Sequence, residues 1–254
     1  GTVNGATLTA DRNGNVDSAY DFDGQDDFIR VGDNPDISGL SAITVSAWAK
    51  WDTVSGWQVI VGKYFDDSAN NGEFLIQAEA GNTIRLAYQD GRDGDSSRII
   101  RDASFNYVPD KWYHFVTSYD GTDDDGVKLY IDGIITSTEV VSNNVSGALA
   151  DSTEPLYIGA RSGGSIQHFN GSIDDIRIYD RALSEAEVSE LYELEKPTQS
   201  TSTFEIVEGN FSWHEAKADA EAKGGRLAVL NTQERIDDAN AYLDSLGSWE
   251  NLWI

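Results

Sequence analysis

Alternation of apolar and polar residues with a period of two dominates residues 19–179, and it constrains the fold more than any other feature of the sequence. Such alternation is typical of β-strands with one buried face, because successive side chains point to opposite sides of a strand. Turn sequences rich in Gly, Asp and Asn separate the alternating stretches. We therefore predict an all-β antiparallel jelly-roll sandwich over residues 1–195. The clearest stretches are residues 28–31, 43–51, 74–77, 83–88, 112–117, 128–131, 156–158 and 173–179.

A change of period marks the end of the predicted sandwich. Ser184 and Glu187 form a capping-box pattern, in which the serine hydroxyl and the glutamate carboxylate each satisfy a free backbone amide of the first helical turn. Apolar residues follow at helical spacing at positions 188, 191, 192 and 194, so we predict a short helix that closes the domain. The polar residues 196–203 predict a linker between two domains.

Residues 204–254 show a different pattern. They predict a strand at 204–207, a helix after a second capping box at Ser212 and Glu215, an apolar strand at 227–230 and a further helix to about residue 246. This strand–helix–strand–helix pattern is too short to bury a complete core. We therefore predict a truncated α+β unit that is less stable than the sandwich.

The acidic balance of the chain limits its partners. There are 44 acidic and 18 basic side chains, which give a formal net charge of −26. We expect no binding to nucleic acid, because binding to phosphates needs a basic surface. We expect no membrane insertion, because no apolar run approaches the ~20 residues that span a bilayer. Carboxylates are preferred ligands of Ca2+, which would offset the repulsion among these acids. The alternative is an acidic surface that serves solubility alone.

Three absences bear on where such a chain works. There is no cysteine, so calcium is the natural substitute for disulfides in a secreted protein. There is no leader at the first residue and no methionine anywhere, so we expect a piece of a longer polypeptide. We predict an extracellular or cell-surface location, with the targeting signal outside this segment.

Four segments, in order and at characteristic spacing, resemble those of a known family. They are FDGQDDFI at residues 22–29, WYHFV at 112–116, LYIDG at 129–133 and FNGSIDDIRIYDRALS at 169–184. Residues 19–195 thereby resemble the laminin G-like, concanavalin A-like lectin/glucanase sandwich of bacterial surface proteins. The resemblance implies a jelly roll, in agreement with the fold that the alternation predicts independently.

A second resemblance covers residues 204–254. The motifs SWHEA at 212–216 and GGRLA at 224–228, together with Glu234 and the terminal LWI, are similar to the first half of a C-type lectin-like domain. The sugar- and calcium-binding loops of that family come after this point of the chain. No ligand residue can therefore be carried over to this segment.

The first resemblance also implies a metal site. Sandwiches of this family usually hold a calcium ion between the turn after the first strand and the last strand. On this sequence the turn contains Asp23, Gly24 and Asp26, and the last strand contains Asp174. Alternation would send Asp175 to the opposite face, which makes it the weaker choice. Alternatively, Asp23 only builds the turn and Asp174 serves an ion pair or a strand end.

Loops between the predicted strands contain the parts of a sugar site. Sugar rings stack on aromatic side chains, and polar side chains bond to their hydroxyls. We nominate Tyr64, Arg98, Arg161 and His168 as ligand-binding residues, each of which has the alternative of an ordinary loop or core role. Acidic runs at 66–67, 93–95 and 123–125 are interpreted as solvated turns.

A glycoside hydrolase of the same fold is the rival interpretation. A retaining enzyme needs an acid and a nucleophile carboxylate about 5 Å apart, which glucanases of this fold supply from one strand as Glu-x-Asp with a further Glu. The sequence contains no such motif, since Glu185 and Glu187 belong to the capping box. We therefore predict that the chain is not an enzyme.

These observations predict a non-catalytic, calcium-stabilised carbohydrate-binding or adhesion module of a large secreted or surface bacterial protein. Its expected cofactor is Ca2+, and its expected partner is a glycan or glycoprotein. Two alternatives stay open. One is an accessory binding domain of a secreted glycoside hydrolase or other enzyme, and the other is a structural spacer of a surface protein.

Overall fold

The structure of the chain is a computed structural model, which divides into two compact units at residues 197 and 198. It describes residues 1–64, 72–79, 82–91, 98–122, 126–145, 147–161, 163–197 and 212–223, together with residues 227, 236, 239, 240, 242 and 243. The described part of the first unit is built from two antiparallel sheets. The prediction of an all-β antiparallel sandwich with a short helix after it is therefore confirmed for this unit.

An eight-stranded sheet forms one layer. In spatial order its strands are β1 (Thr2–Asn4), β4 (Phe28–Val31), β14 (Leu156–Ile158), β6 (Trp57–Lys63), β7 (Phe74–Glu79), β8 (Thr83–Gln89), β9 (Arg98–Ser104) and β13 (Glu139–Asn143). A seven-stranded sheet forms the other layer. Its strands are β12 (Ile134–Thr136), β11 (Val127–Ile131), β10 (Trp112–Tyr119), β5 (Ile43–Trp51), β15 (Asn170–Tyr179), β3 (Ala19–Asp23) and β2 (Thr7–Thr9). A short 3-10 helix, Pro35–Ile37, precedes β5.

The main core lies between the two sheets. Strand β5 shows how alternation builds it, because its odd-numbered residues from Ile43 to Trp51 all belong to the apolar core cluster. Facing residues from the eight-stranded sheet, such as Ile76 and Leu86, complete the layer. Each fully buried side chain of this kind contributes about 1.5–3 kcal/mol by leaving water. The period-two pattern of the sequence thus arises because alternate residues of each strand face this core.

Helix α1 (Glu185–Glu195) covers the outer face of the seven-stranded sheet. It begins at the capping box, where Ser184 and Glu187 bond to each other's backbone amides, as the sequence predicts. Val188 of the helix and Leu183 before it pack on Val116 and Tyr130 of the sheet. Both faces of β5 are therefore buried, one against the other sheet and one beneath or beside α1.

A buried polar cluster joins the end of α1 to the sheet. Trp48 Nε1 donates to Glu195 Oε2 at 2.9 Å, and a hydrogen bond of 2.7 Å joins Ser46 Oγ to His114 Nε2. The rings of Trp48 and His114 stack with their centroids 4.9 Å apart. Arg177 Nε donates to the other carboxylate oxygen of Glu195. We call Ser46, Trp48, His114, Arg177 and Glu195 the Glu195 latch.

Arg12 extends this cluster to the beginning of the chain. Its guanidinium pairs with Asp174 and Asp175, each at 2.7 Å, and lies over the Trp48 ring at 4.6 Å. Both carboxylates reach one guanidinium because β15 carries a bulge between Asp174 and Arg177, with Asp175 at a φ of 42°. The prediction that Asp175 points to the opposite face is wrong for that reason, since a bulge interrupts alternation.

The described residues of the second unit are mainly helical. Helix α2 (Trp213–Ala222) begins at the predicted second capping box of Ser212 and Glu215. The predicted strands at 204–207 and 227–230 fall largely or wholly outside the described residues, as do most residues of the further helix. The likeness to a C-type lectin-like domain stays a prediction. Within the described residues, no helix combines the length and apolar character needed to cross a membrane.

Acid should weaken the fold through His114. Burial, followed by the charges of Arg12 and Arg177, lowers the pKa of His114 from 6.5 to about 4, while Asp175 acts in the opposite direction. Because the folded pKa lies below the unfolded one, the stability from neutral His114 is complete above about pH 6.5 and is lost as the pH falls towards 4. The loss is about 3 kcal/mol in the free energy of unfolding.

The measurement is urea unfolding of wild type and His114→Gln at pH 7, 5.5 and 4. Glutamine does not titrate, so we expect the variant to be less stable at pH 7 but less sensitive to acid over this range. The comparison between the two proteins removes the contribution of the many carboxylates. Equal pH dependence in both would contradict the assignment to His114.

Candidate functional site

The outer face of the eight-stranded sheet carries the first candidate site. Register places Arg30, Tyr157, Gly62 and Leu75 in one row across this face, and the row continues through Ala87 and Ile100. Several of these side chains form a second apolar cluster, separate from the core between the sheets. Its members are Val59, Tyr64, Leu75, Ala87 and Ile100. The face is therefore apolar along its middle and polar towards both ends of its strands.

A polar ladder crosses one end of this outer face. Gln77, Arg85 and Asp102 stand opposite one another on β7, β8 and β9. Arg85 donates to both carboxylate oxygens of Asp102, at 2.7 and 2.6 Å, and its guanidinium lies 4.4 Å from the centre of the Trp57 ring. Asp102 raises the pKa of Arg85 further above its usual range, chiefly through this hydrogen bond. Arg85 and Trp57 thus hold each other in a fixed, stacked arrangement.

The other end of the face brings together three of the four nominated residues. The Arg161 guanidinium lies 4.8 Å from the centre of the Tyr64 ring. Arg98 stands directly opposite Gln89 in the β8–β9 register. A Cβ on Gly72 would touch both Tyr64 and Gln89 Oε1, so these two side chains lie on the same side of the backbone. Tyr64, Arg98 and Arg161 therefore border one region of the sheet.

The fourth nominated residue, His168, lies in the hairpin that follows Arg161. Arg161 bridges to Ile166, and the carbonyl oxygen of Gln167 accepts from Val59 N at 2.9 Å, which fixes the hairpin against β6. His168 Nδ1 is buried and has no hydrogen-bond partner. The structure thus places His168 beside the outer face, but no described contact joins it to Tyr64.

Two glutamine oxygens on this face are buried without a donor. Gln77 and Gln89 are 3% and 4% exposed, and the side-chain oxygen of each lacks a hydrogen-bond partner. Leaving such an acceptor unsatisfied costs about 1–3 kcal/mol. Buried polar atoms without partners are few in folded proteins, and each calls for an explanation. A ligand rich in hydroxyl donors would satisfy both oxygens once the groups that cover them move aside, because each oxygen has less than 1 Å2 of accessible surface.

The second candidate site is the turn between β3 and β4, which we call the acidic turn. The turn contains three aspartates, Asp23, Asp26 and Asp27. Each contributes one carboxylate oxygen to a group of three oxygens that lie within 4.8 Å of one another. Asp23 Oδ1 accepts from Gln25 N at 2.8 Å, and Asp27 Oδ2 accepts from Asp23 N at 2.9 Å. These bonds hold three carboxylates close together, although their charges repel one another.

Asp27 is the buried member of the acidic turn. Burial raises its pKa, and the charges of Asp23, Asp26 and Asp21 raise it further, against the lowering effect of the Asp23 amide. Sequence reasoning missed Asp27 as a ligand candidate. The available signal was its position directly before β4, where it faces back into the turn while Asp26 stays exposed.

Asp174 does not join the acidic turn. In the β3–β15 pairing Asp23 stands opposite Asn170, and Asp174 lies four residues further along β15, or about 13 Å at the usual rise per residue. Its carboxylate is bound to Arg12. The structure therefore separates Asp174 from Asp23, Gly24 and Asp26 of the predicted metal set, and the metal site itself stays a prediction. Asn170, whose side-chain amide lies 3.5 Å from the Asp23 carbonyl oxygen, is the β15 residue beside the turn.

Gly24 shapes the acidic turn through its backbone. Its φ is +76°, a region that glycine enters without strain, and a Cβ there would lie 2.8 Å from Asn170. The acidic runs at 66–67, 93–95 and 123–125 lie outside the described residues, apart from flanking positions.

A sandwich of two antiparallel sheets is the fold of the concanavalin A-like lectin class. The chain belongs to the Laminin_G_3 family of the concanavalin A-like lectin/glucanases superfamily, which it matches over residues 23–189. The predicted laminin G-like fold of the first unit is thereby confirmed.

One curated relative matches part of the chain. The chain is 26% identical over 153 residues to the adhesion G-protein coupled receptor V1 of Danio rerio, a match that covers 60% of this chain and 2% of the receptor. The chain therefore spans only a small part of that relative.

Two solved structures share the fold. Domain 4 of AbnA, an extracellular arabinanase of Geobacillus stearothermophilus in complex with arabinotriose, is similar with a TM-score of 0.51 and 23% identity, over 76% of this chain and 82% of that one. The ligand-binding domain of botulinum neurotoxin serotype D, in complex with N-acetylneuraminic acid, has a TM-score of 0.54 and 17% identity, over 76% of this chain and 46% of that one.

Two glycine-to-alanine substitutions should distinguish the cost of a left-handed backbone from the cost of the contact between residue 24 and Asn170. Gly14 and Gly24 have φ values of +81° and +76°, but a Cβ on Gly14 meets nothing within 4 Å. We expect Gly14→Ala to lower the free energy of unfolding by about 1 kcal/mol, the cost of a left-handed alanine. Gly24→Ala should lower it more, because the methyl group also displaces Asn170. Chemical unfolding measures both, and equal losses would contradict the contact with Asn170.

Proposed function

We propose that the sandwich is a carbohydrate-binding module whose glycan lies on the outer face of the eight-stranded sheet. The observation that carries this proposal is the pair of buried glutamine oxygens, Gln77 and Gln89, which face outward without a donor. Sugars supply hydroxyl donors at regular intervals and need little else to satisfy such acceptors.

The surroundings of the two glutamines suit a sugar better than an ionic ligand. Trp57 and Tyr64 offer aromatic surface near opposite ends of the face, and each is stacked with an arginine. Sugar rings pack on aromatic side chains, while arginine donors bond to hydroxyl oxygens. Because Asp102 neutralises Arg85, that cation is not available to attract an anion strongly.

A binding role without catalysis is favoured by the state of Asp102. An acid in a retaining glycosidase must be free to exchange a proton or attack the sugar. Asp102 instead gives both oxygens to Arg85. The family includes both lectins and glucanases, so this local observation and the lack of a glucanase motif in the sequence support the non-catalytic choice.

The comparisons support a glycan as partner. The arabinanase domain is described with arabinotriose and the neurotoxin domain with N-acetylneuraminic acid. We further propose that the module works in a secreted or surface protein, as an adhesion module. The accessory domain of a secreted hydrolase is the second candidate, which the likeness to an arabinanase domain favours.

A single substitution should separate binding from stability. Gln77→Leu removes an unsatisfied buried acceptor, so the free energy of unfolding should stay unchanged or rise. Loss of the same acceptor should weaken glycan binding about tenfold, or about 1.4 kcal/mol. A glycan array identifies the ligand, and calorimetry then measures the dissociation constants of wild type and variant.

Gln58→Leu is the matched control. Gln58 is equally buried, but its side chain already donates to the Thr53 carbonyl oxygen and accepts from Asn170 N. We expect this variant to lose stability and to keep its glycan affinity while folded. A wild-type protein that binds no glycan on the array would overturn the proposed function, and unchanged affinity in Gln77→Leu would overturn its location.

We also propose that the acidic turn binds Ca2+. The ligand atoms of the turn suit Ca2+, which takes oxygen ligands at about 2.3–2.6 Å. The carboxylates of Asp23, Asp26 and Asp27 already lie close together. The side chain of Asn170 lies beside the same turn. A bound ion would remove the repulsion among the three acids and tie the first part of the domain to β15.

Calcium should therefore stabilise the domain. At a concentration a hundred times its dissociation constant it should raise Tm by about 5–10 °C relative to chelator, by mass action. Asp27→Asn should abolish most of this increase, while Asp17→Asn should leave it intact, because Asp17 is an exposed acid that precedes β3 and the acidic turn follows that strand. Differential scanning calorimetry makes the comparison. An equal increase in the Asp27→Asn variant would rule out the acidic turn as the site.

A further inference from the structure

A lysine is completely buried where β6 ends and β7 begins. Lys63 is the last residue of β6 and is 0% exposed. Its Nζ donates to Glu73 Oε1 at 2.6 Å, to the Ser152 carbonyl oxygen at 2.6 Å and to Ser152 Oγ at 3.1 Å. Asp33 Oδ1 lies 3.1 Å from the same nitrogen. Four acceptor oxygens thus surround an ammonium group that has only three hydrogens to donate.

Glu73, which pairs with this lysine, is equally buried, and only one of its oxygens is bonded. Oε1 accepts from Lys63 Nζ, from Ser152 N at 3.1 Å and from Ser152 Oγ at 2.8 Å. Oε2 is buried and has no partner among the described residues. Burial raises the pKa of Glu73, against the lowering effects of Lys63 and Ser152. Two buried ions with an unbonded oxygen are a destabilising arrangement, because the removal of each charge from water is unfavourable.

An amide between the two side chains would fit the same surroundings without buried charge. Both charges and the unbonded Oε2 would disappear if Lys63 Nζ were joined to Glu73 Cδ. The amide oxygen, in the place of Oε1, would accept from Ser152 N and Oγ, as Oε1 already does. The single amide N–H would donate to the Ser152 carbonyl oxygen or to Asp33. The polar groups around the pair therefore suit an amide better than they suit two ions.

We infer that Lys63 and Glu73 form an intramolecular isopeptide bond. Asp33, whose side chain is partly exposed, passes one proton from the ammonium group to Oε2 through water, which leaves a neutral amine and a carboxylic acid. Nζ attacks Cδ, and Ser152 N and Oγ stabilise the negative charge that develops on Oε1. Asp33 then passes a second proton from the nitrogen to Oε2, the Cδ–Oε2 bond breaks and water leaves. The net change converts an ammonium and a carboxylate into an amide and water, and it consumes no other reactant.

The bond closes a covalent ring across the ends of β6 and β7, in a chain that has no cysteine for a disulfide. A cross-link of this kind stabilises a domain mainly because it restricts the unfolded chain. None of the residues involved belongs to the acidic turn or to the proposed glycan site. The inference therefore stands whether or not the sandwich binds glycan or Ca2+.

Mass spectrometry of the intact, purified chain tests the bond directly. We expect a mass that is lower than the mass of the sequence by one water molecule. Trypsin does not cut after an acylated lysine, so residues 51–85 should appear as one peptide, lighter by one water, instead of as the two peptides 51–63 and 64–85. Recovery of these two peptides in full yield and at their full masses would overturn the inference.

Two variants identify the reacting groups. Lys63→Met removes the amine and should have the full mass of its own sequence, which distinguishes the bond from loss of water elsewhere in the chain. Asp33→Asn keeps both bonded residues but removes the proton carrier, so it should slow the condensation roughly a hundredfold and leave newly purified protein mostly unlinked. Loss of water that persists in Lys63→Met would contradict the bond, and complete linkage in Asp33→Asn would contradict the role of Asp33. If Lys63→Met does not fold, the wild-type digest decides alone.

Discussion

Burial of both faces of β5 is the constraint on which the rest of the first unit depends. Its core-facing residues from Ile43 to Trp51 are ordinary for a sandwich, but Thr44, Ser46 and Trp48 on its other face are also almost fully buried. Polar groups placed there need partners, because an unsatisfied buried donor or acceptor is costly. Thr44 therefore bonds to residues 181 and 183, Ser46 to His114, and Trp48 to Glu195.

These partners come from distant parts of the chain. The outer face of the seven-stranded sheet therefore holds the domain together. Arg12 and Glu195, near the two ends of the unit, meet over Trp48. Most polar groups of the Glu195 latch bond to one another, although His114 Nδ1, like Gln77 Oε1 and Gln89 Oε1 on the eight-stranded sheet, has no partner. Helix α1 packs on the outer face of the seven-stranded sheet, which is why we assign ligand binding to the outer face of the other sheet.

Sequence reasoning reached the fold but only part of the site. Alternation and the capping box of Ser184 are local signals, so the strands and α1 could be predicted from short windows of residues. The pairing of Asp23 with Asn170 instead of Asp174 depends on register between strands far apart in the chain, which alternation cannot supply. The bulge at Asp175 could not be predicted either, because nothing in the local sequence pattern marks it.

The unsatisfied atoms were the least predictable feature, and they carry the most functional information. Gln77 reads in the sequence as the polar member of an alternating strand, and Trp51 reads as a core residue; both descriptions are correct. Only the full set of hydrogen bonds shows that Gln77 Oε1 and Trp51 Nε1 have no partner while Gln58, equally buried, has two. Folding alone would favour apolar groups at such positions, since an unused polar atom costs stability. Under the proposed function, a bound glycan supplies the missing partner of Gln77 Oε1, and selection for that contact offsets the loss.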